Sequence, residues 1–561
     1  MTGDGNWDAV ADLVVVGSGG GSLCAALAAR HAGLQPLVLE KTEVFGGSTA
    51  LSGGVLWLPD NPVSRRAGVE DSAADARRYF EAAVGNVGPS TSPERVEAFL
   101  RAVEPMTLFL QDKGVPFRHC EGYSDYYDEL PGGKARGRSL ETELFDLRRL
   151  GPWRDKFRLA GSMPAIPMHT QDVAPMSVAP HTARSVATVA RIAARLAVAR
   201  LTGRELRGSG AALQGWMLLA ALRAEIPVRT GTPVVDLVVE DGRVLGVEAE
   251  RDGRRVRIRA EAGVLLNSGG FSHNARMREE HGPQPSSVEW TSANAGDTGE
   301  VIEAAMRHGA ATDLMDEAWW IPSSVLPDGQ PLYAVYERSK PHAIMVDATG
   351  ARYVNEAASY MEVGQAMYAR HHKTGAAVPS WWITDSRNRT RYLWGKTPGG
   401  VTPPTWIRDG YMKRARTVEE LAGKIGVEPA ALRATVDHYN TSAAHGRDPD
   451  FHKGERAYDR YYGDPRVSPN PCVAPVSKPP FHAVALYPGD VGTAGGLLTD
   501  EHGRVLRDGG DPITGLYATG NCTASVMGRT YPGAGASIAA SFVFGWLAAH
   551  HMIQNKARSD R

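Results

Sequence analysis

Tyrosine is the residue type that stands out in three glycine-containing segments of the sequence. The segments are Gly122-Tyr-Ser-Asp-Tyr126-Tyr127, then Gly350-Ala-Arg-Tyr-Val-Asn-Glu356 with Ser359-Tyr360, and Gly528-Arg-Thr-Tyr531-Pro-Gly-Ala-Gly535. A phenol donates a hydrogen bond when neutral and acts as a base when ionised, although its ordinary pKa is about 10. Each tyrosine taken singly is equally consistent with core packing. The 17 histidines and the serines show no nucleophile motif and no zinc-protease pair, so no metal site is predicted.

A glycine-rich turn lies between two short strands near the start of the chain. Asp12-Leu-Val-Val-Val16 is typical of a buried parallel strand; Gly17-Ser-Gly-Gly-Gly-Ser22, a helical pattern and the strand Pro36-Leu-Val-Leu39 follow. In such a βαβ unit Gly19 lets the backbone approach a pyrophosphate, which the helix N-terminus attracts. Glu40 ends the second strand, where its carboxylate can accept hydrogen bonds from ribose hydroxyls. The unit therefore predicts dinucleotide binding.

The residues after this strand distinguish flavin from nicotinamide. Lys41-Thr-Glu-Val-Phe45 leads into Gly46-Gly47-Ser48-Thr49 and then into Ser52-Gly53-Gly54, a second turn of small residues that can reach the far side of a bound FAD. This E-K-x-x-x-x-G-G-S-T pattern resembles the FAD-binding domain of the fumarate reductase/succinate dehydrogenase flavoprotein superfamily. Members that attach FAD covalently have a histidine after this turn. Here Thr49-Ala50-Leu51 follows, so the resemblance implies non-covalent FAD.

Later segments match further pieces of the same cofactor domain. Residues 228–247 predict two strands around the hairpin signal Asp241-Gly242, and residues 263–270 predict a strand that enters a glycine turn. Residues 515–521 predict another such strand, and an Ala-rich helix follows over 534–550. The resemblance places this last strand and helix beside the first βαβ unit.

The predicted fold class is therefore α/β. A discontinuous Rossmann-like FAD-binding domain is expected over residues 1–316 and 493–561, with an extra basic segment at about 165–210. An α+β catalytic cap domain is expected over residues 317–492, where many of the tryptophans and tyrosines fall. An aromatic-rich domain suits a cap over an apolar ligand, and an aromatic core is the alternative.

The tyrosine segments, together with Tyr487-Pro-Gly-Asp-Val-Gly-Thr493, resemble the 3-ketosteroid Δ1-dehydrogenases over nearly the whole chain. The resemblance implies that Tyr360 is the base that removes a proton from carbon 2 of the steroid. It implies that Tyr126 hydrogen-bonds the Tyr360 phenolate and lowers its pKa. Tyr531 and the Gly535 N–H would hold the 3-keto oxygen, and FAD would take the hydride from carbon 1. The implied context is steroid degradation.

The proposed ketone site has a physical rationale. The ketone oxygen gains negative charge as the proton leaves carbon 2. A hydroxyl and a backbone N–H at a helix N-terminus then form an oxyanion-type site, and the loss of one such donor costs about 10²-fold or more in rate.

The remaining site residues follow from the same resemblance. Tyr333 matches an aromatic position of the steroid pocket. The residues implied in FAD binding are Gly17, Gly19, Gly20, Gly21, Glu40, Lys41, Gly46, Gly47, Ser48, Thr49, Ser52, Gly53, Gly54, Val234, Gly269, Gly270, Asn294, Asp297, Gly520, Asn521, Ser537 and Ile538.

Three alternatives remain open. A dicarboxylate reductase of the same superfamily would need cationic groups to clamp carboxylates, whereas the matched positions here are tyrosines, which suit a neutral ketone. A ketosteroid dehydrogenase acting at carbons 4 and 5 is closer, but Tyr126 belongs to the Δ1 pattern. The third alternative is a non-catalytic binding protein with the flavin fold, which would be colourless when purified. The intact Gly17, Gly19 and Glu40 argue against it.

Composition and charge exclude other classes. The chain of 561 residues has 62 basic and 63 acidic residues, a formal net charge of -1, which argues against a nucleic-acid partner. Four scattered cysteines suit a reducing compartment, and the N-terminal residues do not resemble a signal peptide. No apolar run is expected to span a bilayer. We therefore expect a cytoplasmic enzyme that passes electrons to an unidentified acceptor, a quinone or another.

The segment 183–207 is rich in Ala and Arg and contains one acid, Glu205. On a helix, Arg184, Arg191 and Arg195 would share one face. A basic amphipathic helix can lie on an anionic membrane, which would place the enzyme peripherally on the inner face of the cell membrane. The alternative is a solvated helix, or one whose arginines pair with acids elsewhere.

Overall fold

The computed structural model describes residues 7–159, 166–178 and 180–559. The outermost residues of the predicted FAD-binding domain and position 165, where the basic segment was expected to begin, lie outside these ranges. The helices are α1 (Gly20–His31), α2 (Gly47–Leu51), α3 (Pro62–Arg66), α4 (Ala73–Ala83), α5 (Pro93–Asp112), α6 (Thr170–Met176), α7 (Ala183–Leu201), α8 (Ser209–Arg223), α9 (Ala275–His281), α10 (Glu300–Arg307), α11 (Tyr360–Thr374), α12 (Ser386–Arg391), α13 (Pro404–Arg408), α14 (Val418–Ile425), α15 (Pro429–Ala443), α16 (Ala457–Tyr461) and α17 (Ala536–Ser559).

Short strands outnumber long ones. The strands are β1 (Ala9–Val16), β2 (Pro36–Leu39), β3 (Leu56–Trp57), β4 (Phe117–His119), β5 (Ser139–Thr142), β6 (Phe145–Asp146), β7 (Leu206–Arg207), β8 (Val228–Arg229), β9 (Val234–Glu240), β10 (Arg243–Arg251), β11 (Arg254–Leu266), β12 (Thr312–Asp313), β13 (Ala318–Val325), β14 (Pro331–Tyr333), β15 (Ala343–Val346), β16 (Ser380–Thr384), β17 (Met412–Ala415), β18 (Phe481–Thr493), β19 (Gly496–Leu497), β20 (Arg504–Leu506) and β21 (Pro512–Ala518).

The larger sheet joins both ends of the chain. Its order is β20-β21-β11-β1-β2-β8, and β9 and β10 extend it from β11. β1 pairs in parallel with β2 and β11, and β11 pairs in parallel with β21. Leu13 and Val15 of β1 face one buried cluster while Val14 and Val16 face another, so both sides of the sheet are covered. The predicted strands and the helix after β21 are confirmed.

A second, antiparallel sheet forms within the inserted part of the chain. Its order is β14-β13-β18-β16-β15, with β17 also paired to β18. All six strands lie between Ala318 and Thr493, and α11 to α16 lie in the same part of the chain. The predicted class, a discontinuous Rossmann-like domain with an α+β insertion, is confirmed; the exact domain limits stay a prediction.

Helix α17 packs on α1 through residues without side chains. A Cβ at Gly20 would lie 2.0 Å from the Phe542 ring, and one at Gly21 would lie 2.3 Å from the carbonyl oxygen of Ser541. The stretch Ala536–Arg558 is long and apolar enough to cross a bilayer, so the expectation that no run reaches this length is wrong. However, 67% of its most apolar window is buried inside the protein, as in the core helix of a globular fold.

Helix α7 confirms part of the prediction for the basic segment and corrects the rest. The helix ends at Leu201, and residues 206–207 form a short strand with β6. Arg191 and Arg195 both pair with the buried Asp172, at 2.6 Å and 2.9 Å. These two arginines therefore tie the helix to the protein instead of forming a free basic face.

Candidate active site

The three tyrosines singled out in the sequence lie side by side. Tyr126 lies in the loop between β4 and β5, Tyr360 is the first residue of α11, and Tyr531 lies in the turn before α17. Their ring centroids are 5.1 Å apart for Tyr360 and Tyr531, 5.5 Å for Tyr126 and Tyr360, and 5.7 Å for Tyr126 and Tyr531. All three are buried. The cluster lies where the FAD-binding part of the chain meets the inserted part.

The Tyr126 hydroxyl donates a hydrogen bond to the Tyr360 hydroxyl, with the oxygens 3.4 Å apart. Burial raises the pKa of Tyr360 well above its ordinary value, the neighbouring Tyr531 and a fourth tyrosine, Tyr458, raise it further, and the bond from Tyr126 opposes the rise. The predicted effect of Tyr126 on the Tyr360 pKa therefore has the right sign, but burial outweighs it. Tyr126 alone does not keep Tyr360 ionised.

The sequence analysis missed Tyr458. Its ring in α16 lies 4.1 Å from that of Tyr126, centroid to centroid. Burial raises its pKa to about 12, and the nearby Arg338 guanidinium opposes that rise. The available signal was the run Ala457-Tyr-Asp-Arg-Tyr-Tyr462, which sequence alone cannot distinguish from other aromatic core segments.

The turn that carries Tyr531 also presents free backbone donors. The N–H groups of Gly535, Ser537 and Ile538 have no acceptor among the residues that the structure describes. They lie at the N-terminus of α17, which has 24 residues and whose dipole is positive at this end. The Tyr531 hydroxyl is 3.1 Å from the Ser537 hydroxyl at the same place. A ligand oxygen with partial negative charge would be stabilised here.

The loop of Tyr126 is fastened directly to this turn. The Tyr126 N–H donates to the carbonyl oxygen of Pro532 at 3.0 Å, and Asp125 forms an isolated bridge with Gly533. The Tyr79 hydroxyl donates to the same Pro532 carbonyl at 2.6 Å. These contacts set the distance between Tyr126 and Tyr531.

A buried ion-pair network holds the loop from behind. Arg138 is fully buried and contacts Asp125 at 2.7 Å and Asp71 at 2.7 Å. The Trp57 indole N–H donates to Asp125 at 2.8 Å. Sequence reasoning missed this network because Trp57 and Asp71 are far from Asp125 and Arg138 in the chain, and only Asp125 lies in one of the tyrosine segments.

Tyr333 lies at the edge of the site. It is the last residue of the edge strand β14, is partly exposed, and packs against the cluster that contains the three tyrosines. Among the described residues it has no ring contact with Tyr126, Tyr360 or Tyr531. Its role in a steroid pocket stays a prediction.

The glycine-rich turn has the geometry expected for close approach of a ligand. Gly17 has φ of 97°, and a Cβ there would lie 2.2 Å from the carbonyl oxygen of Asn267. Gly19 caps α1, and the N–H groups of Gly19 and Gly21 have no acceptor among the described residues. The buried Glu40 carboxylate accepts hydrogen bonds from the Ser18 hydroxyl at 2.5 Å and from the backbone of residue 42 at 2.9 Å. The carboxylate is thereby fixed at the end of β2.

The second small-residue turn faces residues from the two irregular segments on either side of α9. The Ser48 hydroxyl donates to Asp297 at 3.1 Å and accepts from the Asn294 N–H at 3.4 Å. Burial raises the pKa of Asp297 to about 7, and the bonds from Ser48 and Gly270 oppose the rise. Gly269 has φ of 80°, and a Cβ there would lie 2.3 Å from an Asp297 oxygen. The structure therefore brings together four of the predicted cofactor residues, Ser48, Gly269, Asn294 and Asp297.

Other predicted cofactor residues are engaged in holding these turns. Lys41 donates to the Thr298 hydroxyl at 2.7 Å and pairs with Glu300 at 2.6 Å. The Thr49 hydroxyl accepts from the Gly20 N–H at 3.2 Å, and the Asn521 side chain accepts from the Trp319 indole at 3.0 Å.

The remaining predicted cofactor residues are placed mainly by the backbone. Gly46, Gly47, Gly54 and Gly520 have positive φ, and the Ser52 hydroxyl accepts the Gly54 N–H at 3.0 Å. Gly53 is exposed, and Val234 is the buried first residue of β9.

Comparisons with known proteins agree with this geometry. A family model described as an FAD binding domain matches residues 12–538. The chain is 43% identical to the 3-oxosteroid 1-dehydrogenase of Mycobacterium tuberculosis, over 96% of this chain and 98% of that protein, and 40% identical to that of Mycolicibacterium smegmatis, over 98% of each. The solved 3-ketosteroid delta1-dehydrogenase from Sterolibacterium denitrificans, in complex with 1,4-androstadiene-3,17-dione, matches with a TM-score of 0.91 and 37% identity, over 97% of this chain and all of that one.

The chain belongs to the 3-oxosteroid 1-dehydrogenase family of FAD-binding proteins.

The residues present fit an FAD of this family. Within the part of the chain that the structure describes, N–H groups at the N-termini of α1 and α17 and at Gly47 and Ser48 of α2 have no acceptor, and such donors suit phosphate and carbonyl oxygens. The positive φ of Gly17 and the clash that a Cβ would make there keep the first turn free of side chains. Thr49, Ala50 and Leu51, which follow the second turn, offer no histidine for covalent attachment.

Proposed function

We propose that this chain is an FAD-dependent dehydrogenase that introduces the double bond between carbons 1 and 2 of 3-ketosteroids, as a step in steroid degradation. The observation that supports this most is the convergence of Tyr126, Tyr360 and Tyr531 beside the free Gly535 N–H. These groups suit a neutral ketone with an acidic neighbouring C–H. The family relationship supplies the substrate class.

In the proposed mechanism the 3-keto oxygen lies between the Tyr531 hydroxyl and the Gly535 N–H. These two donors stabilise the negative charge that the oxygen gains as carbon 2 loses its proton. Tyr360, as phenolate, takes that proton, and the Tyr126 hydroxyl donates to the Tyr360 oxygen throughout. FAD, when bound, supplies the acceptor for the hydride that leaves carbon 1. Burial of the cluster keeps water from competing for these donors.

We propose that FAD is held by three groups of residues. The turn from Gly17 to Gly21 would face the pyrophosphate and Glu40 the ribose. Residues 46–54, with Asn294 and Asp297, would enclose the far side of the cofactor. The N–H groups of Ser537 and Ile538 would face the flavin ring.

The decisive experiment is anaerobic mixing of the FAD-loaded protein with androst-4-ene-3,17-dione. We expect the visible absorbance of FAD to bleach and the 1,4-diene-3-one to form, and we expect a Tyr360→Phe protein with full FAD content to bleach far more slowly. Failure of the wild-type protein to bleach would refute the proposal. A product unsaturated only between carbons 4 and 5, from a saturated ketosteroid, would favour the 4-dehydrogenase alternative, and a colourless protein the binding alternative.

We also propose that helix α7 contacts an anionic membrane surface. Four apolar side chains on it are exposed, Val186, Val189, Val198 and Leu201, the last of them 87% exposed. The helix contains no acidic residue. Val186 and Val189 lie in the first half of the helix and Val198 and Leu201 at its end. Arg184, Arg200 and Arg204 lie near these two pairs, and no carboxylate lies within 4.0 Å of them among the described residues. Exposed aliphatic side chains with such arginines nearby suit insertion at a negatively charged headgroup layer.

Vesicle sedimentation tests this contact. The wild-type protein should sediment with vesicles that contain phosphatidylglycerol, less with pure phosphatidylcholine, and less again at high salt. Changing the four exposed apolar residues to serine should leave the protein in the supernatant with unchanged steroid turnover. The matched control carries serine at exposed apolar positions elsewhere, Val10, Val87, Leu108 and Val401. Equal sedimentation of wild type and the α7 variant would contradict the proposal. The electron acceptor, a quinone or another, would then be sought without reference to a membrane.

A further inference from the structure

Glu317 lies where the chain passes from the FAD-binding part into the insertion. The returning chain meets it there, because the Ala494 N–H donates to the Glu317 carbonyl oxygen at 3.0 Å and Ala318 pairs with Thr493. Glu317 is 4% exposed, and a buried carboxylate needs hydrogen-bond donors. Both crossings of the chain are therefore fixed at one buried acid.

Three side chains donate to the Glu317 carboxylate. The Trp320 indole N–H donates to one oxygen. The Gln365 amide donates to the other oxygen at 3.2 Å, and the Arg529 guanidinium donates to that same oxygen at 3.1 Å. Burial raises the pKa of Glu317, and the three donors oppose that rise. The donors therefore stabilise the ionised carboxylate.

Two of these donors come from the elements that carry the proposed catalytic tyrosines. Gln365 lies in α11, the helix that begins at Tyr360, and Arg529 lies just before Tyr531 in the turn that leads to α17. Gln365 also donates to the carbonyl oxygen of Arg529 at 2.9 Å. The helix and the turn are thus joined twice, once directly and once through Glu317. We call Glu317, Gln365 and Arg529 the junction network.

Strand β13, which follows Glu317, packs against both of these elements. A Cβ at Gly364 of α11 would lie 2.4 Å from the Trp320 Cβ, and the Trp320 ring lies 5.0 Å from that of Tyr368, centroid to centroid. On the other side the Trp319 ring lies 5.2 Å from the Tyr531 ring. The start of β13 therefore contacts the helix of the proposed base and the turn of the proposed ketone site.

Arg529 is also held by the residue before Glu317. Its guanidinium donates to both carboxylate oxygens of Asp316, each at 2.9 Å. Arg529 is nevertheless 43% exposed, and an ion pair so open to water contributes little to the free energy of unfolding. The bidentate geometry does restrict where the guanidinium can lie. The ion pairs of Arg529 therefore suit positioning better than stabilisation.

We propose that the junction network sets the position of Tyr360 relative to Tyr531, and thereby aligns the base with carbon 2 of a steroid whose ketone Tyr531 holds. Gln365 and Arg529 are then positioning residues, which act through the two tyrosines. Proton transfer requires a close and aligned approach, and a displacement of about 1 Å can cost about 10²-fold in rate. This inference rests on the proposed function, because that function assigns the two tyrosines their roles.

The test measures anaerobic FAD reduction over a range of androst-4-ene-3,17-dione concentrations, which gives the limiting rate and the steroid Kd separately. The FAD-loaded variants are Arg529→Gln, Arg529→Lys, Gln365→Met and the double variant Arg529→Gln/Gln365→Met. Glu317 is left in place, because its loss would leave the buried Trp320 N–H without its acceptor.

The matched control is Arg433→Gln. Arg433 is 39% exposed, and its guanidinium donates to both carboxylate oxygens of Glu419, at 2.7 Å and 3.1 Å. This pair joins α14 to α15 within the same insertion and contacts none of the three tyrosines. The control therefore removes a similar ion pair without loosening the junction.

We expect Arg529→Gln to lower the limiting rate by about tenfold, and Gln365→Met by somewhat more because it removes both connections between α11 and the turn. The steroid Kd should change by less than about twofold, since Tyr531 and Gly535 stay together in one turn. Arg529→Lys should stay within about threefold of the wild type because it can still donate to Glu317. The double variant should lose about as much as Gln365→Met alone, since the connection is already broken.

The melting temperature separates positioning from stability. Arg529→Gln and Arg433→Gln should melt within about 1–2 °C of the wild type, because both remove exposed ion pairs. Only Arg529→Gln should lose rate.

Two results would overturn the proposal through the rates. One is a limiting rate within about twofold of the wild type in both Arg529→Gln and Gln365→Met. The other is an equal loss in Arg433→Gln, which would show a general loosening of the insertion. Single losses that multiply in the double variant would also overturn it, because they would show two independent effects. A weaker Kd at an unchanged limiting rate would do the same.

The remaining outcomes distinguish this proposal from the proposed function. If Gln365→Met does not fold or does not load FAD, the comparison of Arg529→Gln with Arg433→Gln decides. Wild-type protein that the steroid does not bleach refutes the proposed function itself. Bleaching that is normal in the wild type and unchanged in the variants refutes only the junction network.

Discussion

Replacing Gly535 by alanine would place one methyl group at the point where the Tyr531 turn meets α17. Gly535 has φ of 88°, in the left-handed region, where a residue with a Cβ costs roughly 1–2 kcal/mol. The new Cβ would lie 2.0 Å from the carbonyl oxygen of Val55 and 2.8 Å from the nitrogen of Leu56. Both are backbone atoms, so no side-chain rotation relieves the contact. The turn must move away from β3 and take the Gly535 N–H with it.

The displaced N–H is one of the two donors proposed for the ketone oxygen. The loss of one oxyanion donor costs about 10²–10³ in kcat, and the interaction grows as charge develops. We therefore expect the Gly535→Ala rate of FAD reduction to fall by about that factor, with kcat and kcat/KM reduced together. The assay is anaerobic stopped-flow bleaching of protein with verified FAD content.

A matched glycine separates strain from lost donation. Gly426 also has a positive φ, 73°, ends α14, and has nothing within 4 Å of the position of a Cβ. Gly426→Ala should lower the melting temperature by only about 1–2 °C, through backbone strain alone, and leave the rate unchanged. A Gly535→Ala protein with full FAD content and turnover within about threefold of the wild type would refute the assignment of this N–H.

Three further outcomes are expected. Tyr360→Phe should lower the rate of FAD reduction by about 10²–10⁴-fold with little change in steroid affinity, because it removes the proposed base; stopped-flow and equilibrium titration check this, and near-wild-type turnover would contradict it. Arg138→Met should lower the free energy of unfolding by about 3–5 kcal/mol in urea, because it leaves the buried Asp71 and Asp125 unpaired, and an effect below about 1 kcal/mol would show that these acids find other partners. Burial raises the pKa of Glu141 to about 7 from an ordinary value near 4.5. Between these two pH values the folded state keeps a proton that the unfolded state loses. The free energy of unfolding of the wild-type protein therefore falls as the pH rises from about 4.5 to about 7. In the Glu141→Gln protein the free energy of unfolding should fall less over this pH range, by up to about 3 kcal/mol. Urea denaturation below pH 4.5 and above pH 7 measures the difference. The same dependence of unfolding free energy on pH in both proteins would contradict the prediction.

The sequence predicted the FAD-binding part of the fold well, because that part depends on local patterns. The glycines of the first turn, the β-branched strands on either side and the hairpin signal at Asp241-Gly242 each indicate their own backbone conformation. For the insertion, the sequence predicted only an α+β domain and not the strands of its antiparallel sheet. Its strand order, in which β18 lies between β13 and β16, joins residues far apart in the chain, and local pattern does not specify such pairing.

The basic segment illustrates the limit of helical spacing. The spacing placed Arg191 and Arg195 on a shared face, which is correct, but it could not show that the face turns inward to Asp172. The exposed positions of the helix consequently include apolar side chains as well as arginines. A pattern shows which residues share a face; only packing decides which face meets solvent.

By itself the sequence determined the residue types available for chemistry: a glycine turn with Glu40, a second turn of small residues, and three tyrosine segments. The tertiary structure decided how those residues act. It set Tyr126 against Tyr360, left the Gly535 N–H with no acceptor among the described residues, and buried Tyr360 so deeply that its pKa rises. Burial and electrostatic coupling depend on every neighbour in space, including Arg138, Tyr458 and Arg338, which no motif contains. The reactivity of a tyrosine is therefore a property of its surroundings and cannot be inferred from its position in the chain.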